Sequence, residues 1–251
     1  MSKIILITGA TAGFGKATAT HFAAAGWNCI ITGRRQDRLT ELASSLQTTY
    51  GVHIHTLCFD VQNREEVFAA INQLPAEWQS IDVLLNNAGL ALGRDSFETA
   101  NLDDWDTMID TNIKGLMYVT KAVLPFMIAK KSGHIINIGS TAGKEVYKDG
   151  NGYCASKHAV DAISKAMRID LLPHQIKVTA IHPGAAETEF SLVRFKGDDQ
   201  KASAVYDGYK ALEAKDIAEI VYYVSTLPAH VCINDLVVTC LSQANSFYLH
   251  K

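Results

Sequence analysis

Tyr153 and Lys157 stand four residues apart in Tyr153-Cys154-Ala155-Ser156-Lys157. On a helix, expected here over residues 152–172, that spacing puts a phenol and an ammonium on one face, about one turn apart. An ammonium beside a phenol favours the phenolate. The pair therefore predicts a tyrosine that titrates below its ordinary value of about 10 and moves protons near neutral pH. Ser140 ends the apolar run Ile135-Ile136-Asn137-Ile138-Gly139, at the edge of an expected strand, where its hydroxyl can hold a substrate oxygen near that phenol. A plain turn or capping role would explain Ser140 and Thr141 equally well. A second chemical feature lies near the N-terminus. An apolar run at residues 3–7 passes through Thr8-Gly9-Ala10-Thr11-Ala12-Gly13-Phe14-Gly15 into a helical pattern at 16–25. Strand, glycine turn and helix together present backbone N–H groups to a pyrophosphate. The spacing is G-x-x-x-G-x-G, not G-x-G-x-x-G, so the turn alone fits either a dinucleotide site or close strand–helix packing.

The elements that must position these groups alternate along the chain. Strands are expected at 3–7, 28–32, 52–59, 81–85, 134–138, 177–181 and 236–239. Helices are expected at 16–25, 36–47, 64–74, 102–130, 152–172 and 215–225. Short turns and strict alternation predict an α/β fold: one Rossmann-type, doubly wound parallel sheet of about seven strands with helices on both faces. At 251 residues the chain suits a single domain over 1–251, with no linker or repeat. It is 48% hydrophobic and 20% charged, with a net charge of −3. That composition predicts a soluble globule with no general field for nucleic acid or anionic membrane. No apolar stretch approaches the roughly 18 residues of a spanning helix. The expected first strand leaves no room for a signal peptide, and five scattered cysteines with no C-x-x-C fit a reducing compartment, so the cytoplasm is expected.

The end of the second strand bears on the cofactor. An NAD site usually places a carboxylate there for the ribose hydroxyls. This chain has Gly33-Arg34-Arg35, with Arg38 one turn on. Guanidinium groups match a phosphate in charge and bidentate geometry, which favours NADP over solvated arginines at a helix start.

Taken together, these segments resemble the short-chain dehydrogenase/reductase family along nearly the whole chain. Thr8-Gly9-Ala10-Thr11-Ala12-Gly13-Phe14-Gly15 matches its nucleotide loop, Asn86-Asn87-Ala88-Gly89 the motif after its fourth strand, and His182-Pro183-Gly184 the motif after its sixth. Asn112, Ser140, Tyr153 and Lys157 fall where its catalytic tetrad falls. The resemblance implies that Gly9, Ala10, Thr11, Gly13, Phe14 and Gly15 cradle the coenzyme, that Arg34 and Arg35 meet its phosphate, and that Asp60 and Val61 meet the adenine. It further implies that Asn87, Ala88 and Gly89 line the adenosine-ribose side, and that Pro183, Gly184, Thr188, Tyr153 and Lys157 complete the coenzyme site. In the family the residue at Asn112 breaks its helix locally and binds a water that relays protons to the lysine. No metal is required for this chemistry. His53, His55 and His182 could suggest zinc, but His53 and His55 fall on an expected strand with no matching cysteine or carboxylate cluster.

Longer segments, Asn86–Gly93, Thr188–Asp198 and Leu227–Asn234, resemble the family's NADP-dependent 3-hydroxy acid dehydrogenases. They imply an enzyme that interconverts small 3-hydroxy acids, of the L-allo-threonine, serine and 3-hydroxypropionate type, with 3-oxo acids or semialdehydes by hydride transfer. Such a substrate needs a cation for its carboxylate. Arg194 is the first candidate, beside Ser140 and Tyr153 as substrate residues; Lys144 and Lys148 come next. The charged loop 144–148 and Cys240 depart from the subgroup's pattern and bear on the pocket or on subunit packing. Two alternatives stay open: a carbonyl or 3-oxoacyl reductase of broader specificity, and a catalytically silent NADP-binding sensor. Apolar residues on more than one face of the helices at 102–130 and 152–172 (Val119, Val123 and Met127; Ala159, Ile163 and Met167) lead us to expect a homodimer or homotetramer.

Overall fold

The computed structural model describes residues 2–251. Strands β1 (Ile4–Ile7), β2 (Asn28–Gly33), β3 (Ile54–Cys58), β4 (Val83–Asn86), β5 (Gly133–Ile138) and β6 (Ile176–Pro183) form the central sheet with a late strand, Asp235–Val238. Two short strands, β7 (Ala186–Glu187) and β8 (Leu212–Glu213), pair with each other outside it, so the late strand is β9. The order is β3-β2-β1-β4-β5-β6-β9, and every pairing in the central sheet is parallel. This is the doubly wound sheet that the alternation predicted. The order reverses between β1 and β4, and a crevice opens there at the carboxyl ends of the strands.

The strands are buried runs because helices cover both faces. Side chains alternate along β1: Ile5 and Ile7 point to one layer with Phe22, Ile31, Leu85, Ile217 and Val221, while Ile4 and Leu6 point to the other with Ile30, Leu84, Val119, Val123 and Met127. Helices α1 (Gly13–Ala24), α2 (Gln36–Tyr50) and α9 (Ala214–Thr226) build the first layer. α3 (Arg64–Asn72) and α5 (Leu116–Lys130) build the second. Val119, Val123 and Met127 are thus spent on this chain's own core and are not available to a partner.

Four local features depart from expectation. The single helix expected at 102–130 is α4 (Leu102–Ile109), a π-helical segment (Asp110–Gly115) and α5. The helix carrying Tyr153 is α6, Asn151–Asp170, ending two residues early, where a 3-10 turn containing Pro173 follows. Short helices α7 (Glu189–Arg194) and α8 (Asp199–Ala204), together with the β7/β8 pair, lie where no regular element was expected. At six residues and two residues these pieces are too short to leave a periodic signal. Among the described residues no helix is long and apolar enough to cross a membrane, and all five cysteines are free thiols.

Candidate active site

The crevice at the strand ends is a cleft of about 730 Å³, within the size range of small-molecule and cofactor sites. One end is lined by the glycine turn, Arg34, Arg35, Asp60 and Val61; the other by Ser140, Tyr147, Tyr153 and Arg194. Asn87, Ala88, Gly89, Lys157, Pro183, Gly184 and Thr188 lie between. The structure therefore brings the two chemical features of the sequence, 140 residues apart, into one cavity.

The glycine turn is shaped to receive an anion. α1 begins after Ala12, which has no side chain able to cap the helix, so the first-turn N–H groups have no side-chain partner. Gly13 has φ +48°, a left-handed conformation that favours glycine. Gly15 has no room for a side chain: a Cβ there would stand 2.3 Å from the Gly9 carbonyl oxygen. Asn87 fixes the turn from behind, its amide Nδ2 donating to the carbonyls of Thr8 at 2.8 Å and Gly9 at 3.1 Å. Gly15→Ala is accordingly expected to displace the turn, lowering stability in urea by about 1–3 kcal/mol and weakening NADPH binding. Unchanged stability and affinity would show that the close approach is not needed.

Arg34 and Arg35 stand at the mouth of this end. Arg35 donates to Thr11 Oγ1 from Nε at 3.2 Å and from Nη2 at 2.8 Å, which aims its guanidinium along the cleft. Arg34 pairs with Asp60 at 3.4 Å. An exposed cation group with an uncapped helix N-terminus and a glycine cradle below it is a donor set that fits a phosphorylated dinucleotide. Thr188 faces the turn, 3.5 Å from where a Gly13 Cβ would be, and its hydroxyl caps α7 by accepting from Phe190 N–H at 3.2 Å.

At the other end, Tyr153, Lys157 and Asn112 are all buried. Lys157 Nζ donates to the Ile138 carbonyl at 2.9 Å, which ties α6 to the end of β5, and stands 5.9 Å from the Tyr153 ring centroid. Burial lowers its pKa to about 8. Burial also pushes the Tyr153 phenol above its ordinary range; the neighbouring Tyr147 phenol adds to this, while the Ser140 hydroxyl and the Arg194 guanidinium oppose it. The lowered phenol expected from the Tyr153–Lys157 spacing is thus not found: desolvation dominates, and the groups that oppose it are Ser140 and Arg194. Ser140 Oγ accepts from Ala142 N–H at 3.1 Å, capping a 3-10 turn, and the same hydroxyl faces the Tyr153 phenol.

Asn112 explains the broken helix. Its side chain turns onto Leu90, with Oδ1 accepting from the Leu90 N–H at 2.9 Å and Nδ2 donating to the Leu90 carbonyl at 2.8 Å. Nδ2 also donates to Ser156 Oγ at 3.0 Å. The π-helical turn around it is the irregularity often found at functional sites.

Sequence reasoning missed much of the Tyr153 end. Tyr147 OH accepts from Arg194 Nη2 at 3.1 Å. Arg194 Cζ lies 5.6 Å from the Tyr153 ring centroid and 5.7 Å from that of Tyr147. Arg94, exposed, lies 5.9 Å from the Tyr147 centroid. Phe190 packs beside Tyr153 with ring centroids 5.6 Å apart. Only contacts between loops distant in sequence reveal these neighbours. Lys144, a second candidate for a substrate carboxylate, is instead bound to Asp161 at 2.8 Å and Asp235 at 2.6 Å. Lys148 is exposed and does not line the cleft. The two aspartates also approach His182 Nε2, at 3.7 and 3.4 Å, a carboxylate–imidazole group that the sequence reading did not assemble.

Comparison with known proteins agrees with the geometry. A family model described as short chain dehydrogenase matches residues 3–198. The chain is 50% identical over 242 residues to the NADP-dependent 3-hydroxy acid dehydrogenase YdfG of Escherichia coli K12, covering 96% of each. It is 47% identical over 249 residues to sulfoacetaldehyde reductase 2 of Chromohalobacter salexigens, covering 99% of this chain and 98% of that protein. Among solved structures, the closed form of serine dehydrogenase complexed with NADP+ superposes with a TM-score of 0.92 at 49% identity, covering 99% of both chains.

Proposed function

The chain belongs to the short-chain dehydrogenase family, and we propose that it is an NADP-dependent oxidoreductase that interconverts small 3-hydroxy acids with the corresponding 3-oxo acids or semialdehydes. The whole stretch 1–251 works as one NADP-binding unit. The similarity to enzymes named for NADP and for hydroxy acids supports the cofactor and the reaction. The observation that carries the acid substrate is Arg194, held over the Tyr153 ring and donating to Tyr147 OH at 3.1 Å. A guanidinium at that place can orient a carboxylate while leaving the reacting hydroxyl next to the phenol. A sulfonate carries the same charge and offers three acceptor oxygens to the same guanidinium.

The proposed roles follow from position. Gly9, Ala10, Thr11, Gly13, Phe14 and Gly15 hold the pyrophosphate, and Arg34 and Arg35, with Arg38 one turn on, hold the 2′-phosphate. Asp60 and Val61 meet the adenine; Asn87, Ala88 and Gly89 line the ribose; Pro183, Gly184 and Thr188 close over the nicotinamide side. The bound nicotinamide supplies the hydride acceptor or, in reverse, the donor. Ser140 and Tyr153 hold the alcohol oxygen between them, and the Tyr153 oxygen takes its proton in oxidation or returns it in reduction. Lys157 counters the phenolate charge, and Asn112 keeps the π-helical turn open beside it.

Arg194→Ala tests the acid preference. Its kcat/KM for L-serine and L-allo-threonine is expected to fall about 10- to 100-fold, the worth of a charge-assisted bond. Rates with small uncharged secondary alcohols should hold within about twofold. Equal losses on both substrate types would remove Arg194 from carboxylate recognition and favour a broader carbonyl reductase.

Assembly into a homodimer or homotetramer completes the proposal. α6 leaves Ala155, Ala162 and Ala166 exposed, and Met117 of α5 is 40% exposed. Small and apolar residues on an outer helix face suit close packing against a symmetric copy.

A further inference from the structure

We propose that Glu189 is an internal competitor for the coenzyme's 2′-phosphate, and that this carboxylate sets how sharply the protein separates NADP from NAD. The inference rests on the assignment of Arg35 and Arg38 to that phosphate.

Glu189 reaches across the mouth of the cleft to the same arginines. Its Oε2 pairs with Arg35 Nη1 at 3.4 Å, and Arg38 Nη1 donates to Oε1 at 3.0 Å and Oε2 at 3.3 Å. Arg35 spends its other nitrogens on Thr11, so Nη1 is the one it turns to an anion. The carboxylate thus stands where two guanidinium groups converge beside the glycine turn. All three side chains are close to half exposed, at 41% for Arg35, 43% for Arg38 and 47% for Glu189. Exposed carboxylate pairs of this kind are weak. A phosphate brings more charge and three acceptor oxygens to the same donors. It therefore displaces Glu189 and must do so to gain both arginines. A coenzyme with a free 2′-hydroxyl needs no such displacement. Glu189 weakens phosphate binding and leaves the hydroxyl form untouched.

The position of Glu189 in the fold gives the competition a second consequence. It is the first residue of α7, and Arg194 is the last. One six-residue helix therefore has one end at the phosphate arginines and the other above Tyr153. The Arg194 end is held separately: Gly93 N–H donates to the Arg194 carbonyl at 3.0 Å, and Arg194 Nε donates to the Gly93 carbonyl at 3.3 Å. Displacing Glu189 frees only the N-terminal end, which loosens the segment that covers the substrate.

Calorimetric titration of the intact protein with adenosine 2′,5′-bisphosphate and with adenosine 5′-monophosphate tests this without turnover. Glu189→Gln is expected to tighten the bisphosphate about three- to tenfold and to leave the monophosphate within about twofold. Arg35→Met is expected to cut the preference for the bisphosphate at least about tenfold, leaving what Arg34 and Arg38 supply. If Arg35→Met cuts the preference but Glu189→Gln binds the bisphosphate no more tightly, the competition is overturned and the phosphate assignment stands. If Arg35→Met keeps the full preference, the assignment itself fails and the inference falls with it. Hydrogen exchange gives a second readout: the bisphosphate, and not the monophosphate, should speed amide exchange at the N-terminal end of α7 in the wild type. Protection by the bisphosphate would contradict the release of α7.

Discussion

Tyr153→Phe is expected to lower kcat for 3-hydroxy acid oxidation by about 10²- to 10⁴-fold, the usual worth of a general acid–base group. Coenzyme affinity, measured by NADPH fluorescence, should stay within a few-fold because the ring and its packing against Phe190 are retained. The structure adds a pH dependence. Burial, then Tyr147, holds the phenol above its ordinary range, and Ser140 and Arg194 only partly offset this. Oxidation needs the phenolate, so its rate should still be rising at pH 9. Reduction needs the phenol and should lose nothing between pH 6 and 9. A wild-type oxidation rate that levels off at pH 7, or a Tyr153→Phe variant that retains more than a tenth of the activity, would remove Tyr153 from the proton transfer.

The second large effect is expected at Lys157. Its ammonium is buried, donates to the Ile138 carbonyl at 2.9 Å and stands 5.9 Å from the Tyr153 ring centroid. Lys157→Met should cost on the order of 10²- to 10³-fold in kcat, because the phenolate loses its counter-charge and the coenzyme loses a donor. Stability should move the opposite way at neutral pH. Burial lowers the lysine to about 8 from its ordinary 10.5, so below pH 8 the folded protein carries a charge it holds poorly. Between pH 8 and 10 the unfolded chain binds more protons than the folded one, and wild-type stability gains with rising pH. The urea midpoint of Lys157→Met should therefore exceed that of the wild type at pH 7, and the gap should narrow toward pH 10. A constant gap would mean that the lysine is not desolvated in solution.

Much of this site could be read before the fold was seen, for physical reasons that differ by residue. Tyr153 and Lys157 are local: four residues on one helix share a face whatever the rest of the chain does. The glycine turn is equally local, since Gly13 and Gly15 are demanded by the backbone itself. The apolar runs Ile4–Ile7 and Gly133–Ile138 gave the sheet because parallel strands are buried on both faces. What stayed hidden depends on long-range packing. Tyr147, Arg94 and Arg194 meet only because α7 folds back over the loops after β4 and β5. Lys144 looked like a substrate ligand because its partners, Asp161 and Asp235, are 17 and 91 residues away. The Tyr153 phenol was expected to be low because spacing reveals the neighbouring charge but not the depth of burial. The π-helical turn at Asn112 was legible only through the family resemblance, since asparagine in a helix usually signals nothing more than weak propensity.

The most direct test is a set of initial rates with the wild-type protein, using NADP+ and NAD+ in parallel. The substrates are L-allo-threonine, L-serine, 3-hydroxypropionate, 3-hydroxyisobutyrate and several uncharged secondary alcohols. Coenzyme reduction should be found with the hydroxy acids and NADP+, with NAD+ and the uncharged alcohols at least about tenfold poorer in kcat/KM, as a single charge-assisted contact would give. Turnover confined to the uncharged alcohols, or faster with NAD+ than with NADP+, would contradict the assignment of the arginines at the two ends of the cleft.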